Sequence, residues 1–258
     1  MSQDAAQVAK DIIHAARQLQ TPVIKEVFEP LADQARGEGW THEEYLAAVL
    51  ERQAGVRASN SARARIASAR FPAIKTFDEF DMHAIGAKAR DIAGHLATSS
   101  FIHKADNAIL LGPPGVGKTH LAIGIGREAC HHGFRAVFDS AMGWAHRLGQ
   151  AHTLGRLEAE LKRLDRYRLL IVDELGYLPF DPQAAALFFQ LVAHRYENAS
   201  IMVTSNLAFA RWGETLGDEA VAAATIDRLV HHAHVVTIDA DSYRTRAHRA
   251  AKKGTKPS

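Results

Sequence analysis

Cysteine is nearly absent: the 258-residue chain has one, Cys130, which excludes an internal disulfide. His131 and His132 follow it, but no second cysteine or spaced histidine pair completes a zinc site. No run of about 18 apolar residues is available to span a bilayer, and residues 1–10 are polar rather than charged and then apolar as in a secretory leader. These absences predict a cytoplasmic protein with no membrane partner. A strong charge excess is missing too. Lys and Arg number 31 against 29 Asp and Glu, a net charge of +2, so the overall balance does not argue for nucleic acid. What is present is ordinary for a soluble chain, 47% hydrophobic and 23% charged residues, with room for one main domain and a smaller one. The positive charge is unevenly spread. Arg57, Arg63, Arg65 and Arg70 lie in a stretch without an acid, and Arg244, Arg246, Arg249, Lys252, Lys253 and Lys256 crowd the C-terminus.

Residues 4–69 read as helices separated by turns, with apolar positions three or four apart such as Val23, Val27 and Leu31. One helix start is marked by Thr41 with Glu44 three residues on, a pair able to cap each other's backbone, after a Gly39 that ends the preceding element. Pro22 suits the first turn of that preceding helix. From Arg57 to Thr76 the composition turns rich in Ala, Ser and Arg and closes on Phe71-Pro72, where proline discourages a continuing helix. The domain boundary is therefore placed here, giving 1–69 and 70–258. Phe77 and Phe80 follow beside acids and read as core, and a helical pattern runs over 84–97. Beyond Asn107, short apolar runs at 108–111, 135–139, 169–173, 200–204 and 235–239 alternate with helical segments. Runs apolar along their whole length suit parallel strands buried on both faces. The fold class expected is three-layer α/β with a five-stranded parallel sheet, preceded by a small all-α domain.

The chemistry is concentrated at strand ends. Gly112, Pro113, Pro114, Gly115, Val116, Gly117, Lys118 and Thr119 form a loop between an apolar strand and a helix. Its glycines allow successive N–H groups to turn inward around phosphate oxygens, and the helix N-terminus favours an anion. Lys118 can reach β- and γ-phosphates and the Thr119 hydroxyl can ligate Mg2+, so ATP and Mg2+ are the cofactors implied. The same loop places His120 beside the nucleotide. A second apolar strand ends in Asp173-Glu174, which predicts a Mg2+ ligand in Asp173, acting through water, and in Glu174 a residue that orients or deprotonates the attacking water. A third strand ends in Thr204-Ser205-Asn206. If it lies between the other two, Asn206 emerges beside the γ-phosphate, where an amide can bond both phosphate and water.

These residues, with Lys75 to Asp81, Val172 to Pro179, Ile226 to His232 and Asp241 to Arg244, resemble the AAA+ ATPases. Within them the chain resembles the IstB-like transposition helpers, which are similar to the helicase loader DnaC. The resemblance covers nearly the whole chain. It implies that Asn206 is a sensor and that Arg228 is an arginine finger reaching a neighbour's nucleotide, so that hydrolysis requires a homo-oligomer in the ATP state. It implies Arg244, or else Arg246, as a further phosphate sensor, Phe77 and Phe80 beside the adenine, and a DNA-facing insertion between Ser140 and Arg168. That segment carries Arg147, Arg156, Lys162, Arg163, Arg166 and Arg168 among Glu158, Glu160 and Asp165, enough for contacts to double-stranded DNA that are largely independent of sequence. His231, His232 and His234 fall at a helix-to-strand turn and are not read as a metal site. The function implied is ATP-dependent assembly on target DNA that recruits or regulates a transposase. The alternative is an adaptor that loads a replicative helicase.

Overall fold

A computed structural model describes residues 4–217 and 219–239. The chain divides into a compact unit of Met1–Arg63 and a larger one of Ala64–Ser258.

Three helices are formed in the first part of the chain: α1 (Ala5–Gln18), α2 (Ile24–Glu38) and α3 (His42–Ser68). Asp4 caps α1 through the Ala6 N–H. Pro22 precedes the first turn of α2 instead of entering it. The helix starts at Ile24, and the buried Gln53 side chain accepts the Val23 N–H at 3.0 Å. Gly39, in the left-handed conformation, closes α2, a position where a side chain would be strained. The reciprocal cap at the start of α3 is present: Thr41 N donates to Glu44 at 2.7 Å and Glu44 N donates to the Thr41 hydroxyl at 3.2 Å. The Ala-rich stretch beyond Arg57 extends α3 as far as Ser68, since alanine and arginine are strong helix formers.

The larger unit continues with α4 (Ala87–Ala97), α5 (Ser100–His103), β1 (Asn107–Leu111), α6 (Lys118–His131), β2 (Ala136–Ser140), α7 (Ala141–Thr153) and α8 (Leu157–Leu164). It ends with β3 (Leu169–Leu175), α9 (Pro182–Arg195), β4 (Ser200–Ser205), α10 (Trp212–Leu216), α11 (Glu219–Val230) and β5 (Ala233–Thr237). The strands form one parallel sheet in the order β2-β3-β4-β1-β5, so β4 does lie between β3 and β1. The fifth strand starts two residues earlier than the apolar run suggests, because Ala233 and His234 pair with Asn107 and Ala108.

Side-chain alternation divides each strand between two cores. Ala108, Leu110, Leu169, Ile171 and Met202 pack with α4, α5 and α6. Ile109, Leu170, Val172, Ile201 and Val203 pack with α7 to α11. Because both faces are covered, the strands are apolar throughout, and their polar ends collect at the two edges of the sheet. Asn107 organises the N-terminal edge: its side chain accepts the Ile201 N–H at 2.8 Å and donates to the Leu229 carbonyl at 3.1 Å.

Candidate functional site

The glycine loop crosses the C-terminal edge of the sheet from β1 to α6. Two of its glycines are enforced by close approach. A Cβ on Gly112 would stand 2.4 Å from the Ile238 carbonyl oxygen, and one on Gly117 would stand 2.8 Å from the Phe80 ring; both residues have positive φ, at 155° and 99°. Gly117 is also the N-cap of α6, so the first N–H groups of the helix face the loop without intrahelical partners. Lys118 curls back over the loop, its ammonium 2.7 Å from the Gly112 carbonyl oxygen and 2.8 Å from that of Pro113. The Thr119 hydroxyl lies 3.0 Å from both carboxylate oxygens of Asp173. A hydroxyl and a carboxylate form the hard-oxygen pair that suits Mg2+, and the loop amides with Lys118 suit phosphate, so these side chains fit the nucleotide and ion that the loop implies.

Asp173 and Glu174 stand at the end of β3, next to β4. Asp173 is 6% exposed and also accepts a 2.6 Å hydrogen bond from the Thr204 hydroxyl. Glu174 has φ +60°, a left-handed backbone that costs a non-glycine residue about 1–2 kcal/mol. Such strain persists where the surroundings over-determine it, and it gathers at functional sites. Here the Glu174 N–H is held by Thr204 at 2.9 Å. Thr204 belongs to the Thr-Ser-Asn motif, yet sequence reasoning gave it no part. Only the β3–β4 pairing reveals it.

A cavity of about 720 Å³ opens over the loop, lined by Lys118, Thr119, His120, Glu174, Thr204 and Asn206 among others. Its other wall is the segment before α4: Ala73, Lys75, Glu79, Phe80 and Asp81. Phe80 meets His120 edge to face at 5.6 Å, and a His120 ring nitrogen is 2.9 Å from the Thr76 carbonyl oxygen. Phe77 packs against the core beneath and is not among the cavity's lining residues, whereas Phe80 is. Thr76 and Glu79 cap each other at 3.1 and 3.3 Å. The Thr76 N–H and hydroxyl hold the Glu79 carboxyl below the usual range, so this wall keeps its negative charge at neutral pH. Tyr177 forms part of the rim with its side chain outward, 70% exposed.

Arg228 is not brought to this cavity. It occupies the last turn of α11 at the N-terminal edge of the sheet, where its backbone carbonyl accepts from Asn107 at 3.4 Å. Its guanidinium lies 4.8 Å over the Phe189 ring and donates to the Ala224 carbonyl at 3.1 Å. Arg244 and Arg246 fall outside the described residues. The three histidines separate: His234 faces Asp106 at 3.2 Å, while His231 and His232 meet exposed Glu197, and His231 also bonds the Tyr196 hydroxyl at 2.9 Å. In the α7–α8 segment several cations are already engaged. Arg147 and Arg163 share Glu160, each at 2.6 Å, and Lys162 pairs with Glu158 at 2.6 Å. Arg156 and Arg168 are exposed and make no ion pair among the described residues.

The family described as IstB-like ATP binding protein matches residues 14–251. Relatives include the predicted ATP-binding protein of insertion sequence IS21 from Pseudomonas aeruginosa, 41% identical over 228 residues, covering 88% of this chain and 86% of that one. A second is the predicted ATP-binding protein of insertion sequence IS5376 from Geobacillus stearothermophilus, 38% identical over 248 residues, covering 96% and 99%. Among solved structures, the DnaC helicase loader matches with a TM-score of 0.50 and 21% identity, over 62% of this chain and 96% of that one. AMPPCP-bound DnaA from Aquifex aeolicus matches with a TM-score of 0.55 and 19% identity, over 72% and 56%. At these identities the two structures speak for the fold alone, which is the P-loop AAA+ fold. The matched span, residues 14–251, includes the glycine loop, both acids and Arg228, and the chain belongs to the IstB-like ATP-binding protein family of insertion sequences.

Proposed function

We propose that this chain is an ATP-hydrolysing DNA-binding factor of an insertion sequence, which assembles on target DNA in its ATP state and recruits or regulates the element's transposase. The observation that carries the reading is the division of polar residues between the two sheet edges. Lys118, Thr119, Glu174 and Asn206 line one cavity at the C-terminal edge, with Asp173 bonded to Thr119, while Arg228 stands at the N-terminal edge. A cavity with that constellation and no arginine among its described lining residues is completed by a neighbour that offers its opposite edge.

In this reading the loop amides and Lys118 hold the β- and γ-phosphates, and Thr119 and Asp173 hold Mg2+, which neutralises charge on the phosphates when bound. Glu174 takes the proton of the water whose oxygen attacks the γ-phosphorus as the bond to the bridging oxygen breaks. ADP leaves, and Asn206 orients the water and γ-phosphate. The insertion-sequence relatives, 41% and 38% identical, favour the transposition role over helicase loading. The experiment is sizing of the full chain with ATP, with ADP and without nucleotide, each with and without duplex DNA. The expected result is a large species that needs ATP and is favoured by DNA. A monomer under all conditions would refute the assembly.

A further inference from the structure

The two acids stand on consecutive residues, and in a regular strand consecutive side chains point to opposite faces. Asp173 and Glu174 could not then both address one cavity. The pairing of β3 with β4 resolves this. Val172 pairs with Val203, but Leu175 pairs with Ser205, so two residues of β3, Asp173 and Glu174, stand opposite one residue of β4, Thr204. This two-against-one count is a β-bulge, a device that re-aims a side chain. The bulge turns Glu174 to the cavity while Asp173 faces Thr119.

We propose that Thr204 is the positioning residue of the hydrolytic site, setting both carboxylates through one hydroxyl; the inference rests on the ATPase reading above. The direction of its hydrogen bonds is fixed by chemistry. The Glu174 N–H can only donate, so the Thr204 oxygen accepts it at 2.9 Å, and the single hydroxyl proton goes to Asp173 at 2.6 Å. Thr204 is buried, and its bond to Asp173 is buried with it, so losing that bond leaves the carboxylate short of a partner where it is costly. Ser205 closes the bulge from the same strand: its hydroxyl donates to the Leu175 carbonyl at 2.6 Å and accepts the Leu207 N–H at 3.1 Å. Asn206 follows directly and lines the cavity. A shift at Asn206, just past the end of β4, therefore reaches Glu174 through Ser205 and Thr204, which couples the group facing the γ-phosphate to the general base.

The test compares Thr204→Val, which keeps the shape and removes the hydroxyl, with Thr204→Ser, which keeps the hydroxyl, in the full chain under assembling conditions. In Thr204→Val the kcat for ATP is expected to fall about tenfold, the cost of a hydrogen bond to a charged group, with little change in KM. The serine variant retains turnover near the native level. Amide hydrogen exchange at Glu174 in the nucleotide-free protein, followed by NMR, should quicken in the valine variant and not in the serine one. A native kcat in Thr204→Val, or unchanged Glu174 exchange, overturns the proposal. Should the unaltered chain hydrolyse no ATP under any condition, the ATPase reading fails, and the exchange measurement alone still decides whether Thr204 holds Glu174. If the valine variant does not fold, judged by its thermal transition, Thr204→Ala carries the same comparison.

Discussion

At the scale of the residue, Lys118 and Glu174 separate binding from chemistry. Lys118 rests on the carbonyls of Gly112 and Pro113, and Lys118→Ala removes the cation that meets phosphate in the proposed site. Loss of ATP binding, read by titration with a fluorescent analogue, is expected, and normal affinity would contradict the site. Glu174→Gln keeps the shape and removes the carboxylate that the proposed mechanism uses as the base. It should bind ATP normally and lose turnover by about 10² to 10⁴, the range for a general base. Cys130 illustrates a residue whose surroundings silence it. It is fully buried, and burial pushes its thiol above the ordinary value, with a backbone hydrogen bond from Ala136 and the charges of Arg65 and Arg127 only partly offsetting this. Because the raised value keeps the thiol protonated through neutral pH, alkylation at pH 7 should proceed only on unfolding. Rapid labelling of the folded chain would be inconsistent with this environment.

The helix caps and strand pairings belong to the next scale. The Thr41–Glu44 box was legible in the sequence because both partners lie within one turn and need nothing distant. Thr41→Ala should cost about 1 kcal/mol of stability, measured by urea unfolding; an unchanged midpoint would mean that the cap is not used. The five strands were legible for a related reason, since burial on both faces leaves continuous apolar runs. Their register was not. It depends on which strand neighbours which, and through it on the bulge that gives Thr204 its place between Asp173 and Glu174. Arg195 shows the same limit. Nothing in its sequence surroundings marks it as the 1% exposed residue that donates to the carbonyls of Leu164, Tyr167 and Ser200. Burial pushes it down to about 9, which leaves it charged at neutral pH.

At the scale of the whole molecule, the separation of Arg228 from the cavity makes activity, on the proposed reading, a property of the assembly. Arg228→Ala should bind ATP as the unaltered chain does, yet lose turnover by about 10³ or more. The specific activity of the unaltered chain should rise with protein concentration. Activity that is independent of concentration would point to a site complete within one subunit. DNA binding is expected to weaken steeply with salt and to vary little between sequences, since cations on phosphates release counterions whatever the bases are. The ion pairs that engage Arg147, Lys162 and Arg163 place more of that load on exposed cations such as Arg156 and Arg168. An affinity insensitive to salt between 50 and 200 mM, a range over which such contacts lose about 10³ to 10⁵ in affinity, would count against phosphate contacts.

The sequence by itself determined the fold class, the loop from Gly112 to Thr119 and the acids that follow an apolar strand, because each is encoded in contiguous residues whose conformational freedom, hydropathy or charge acts locally. Only the tertiary structure decided which strand lies beside which, that Asp173 and Glu174 share a bulge opposite Thr204, that Phe80 and not Phe77 faces the cavity, and that Arg228 stands at the other edge of the sheet. Those facts depend on pairings between residues tens of positions apart, and packing in three dimensions selects them.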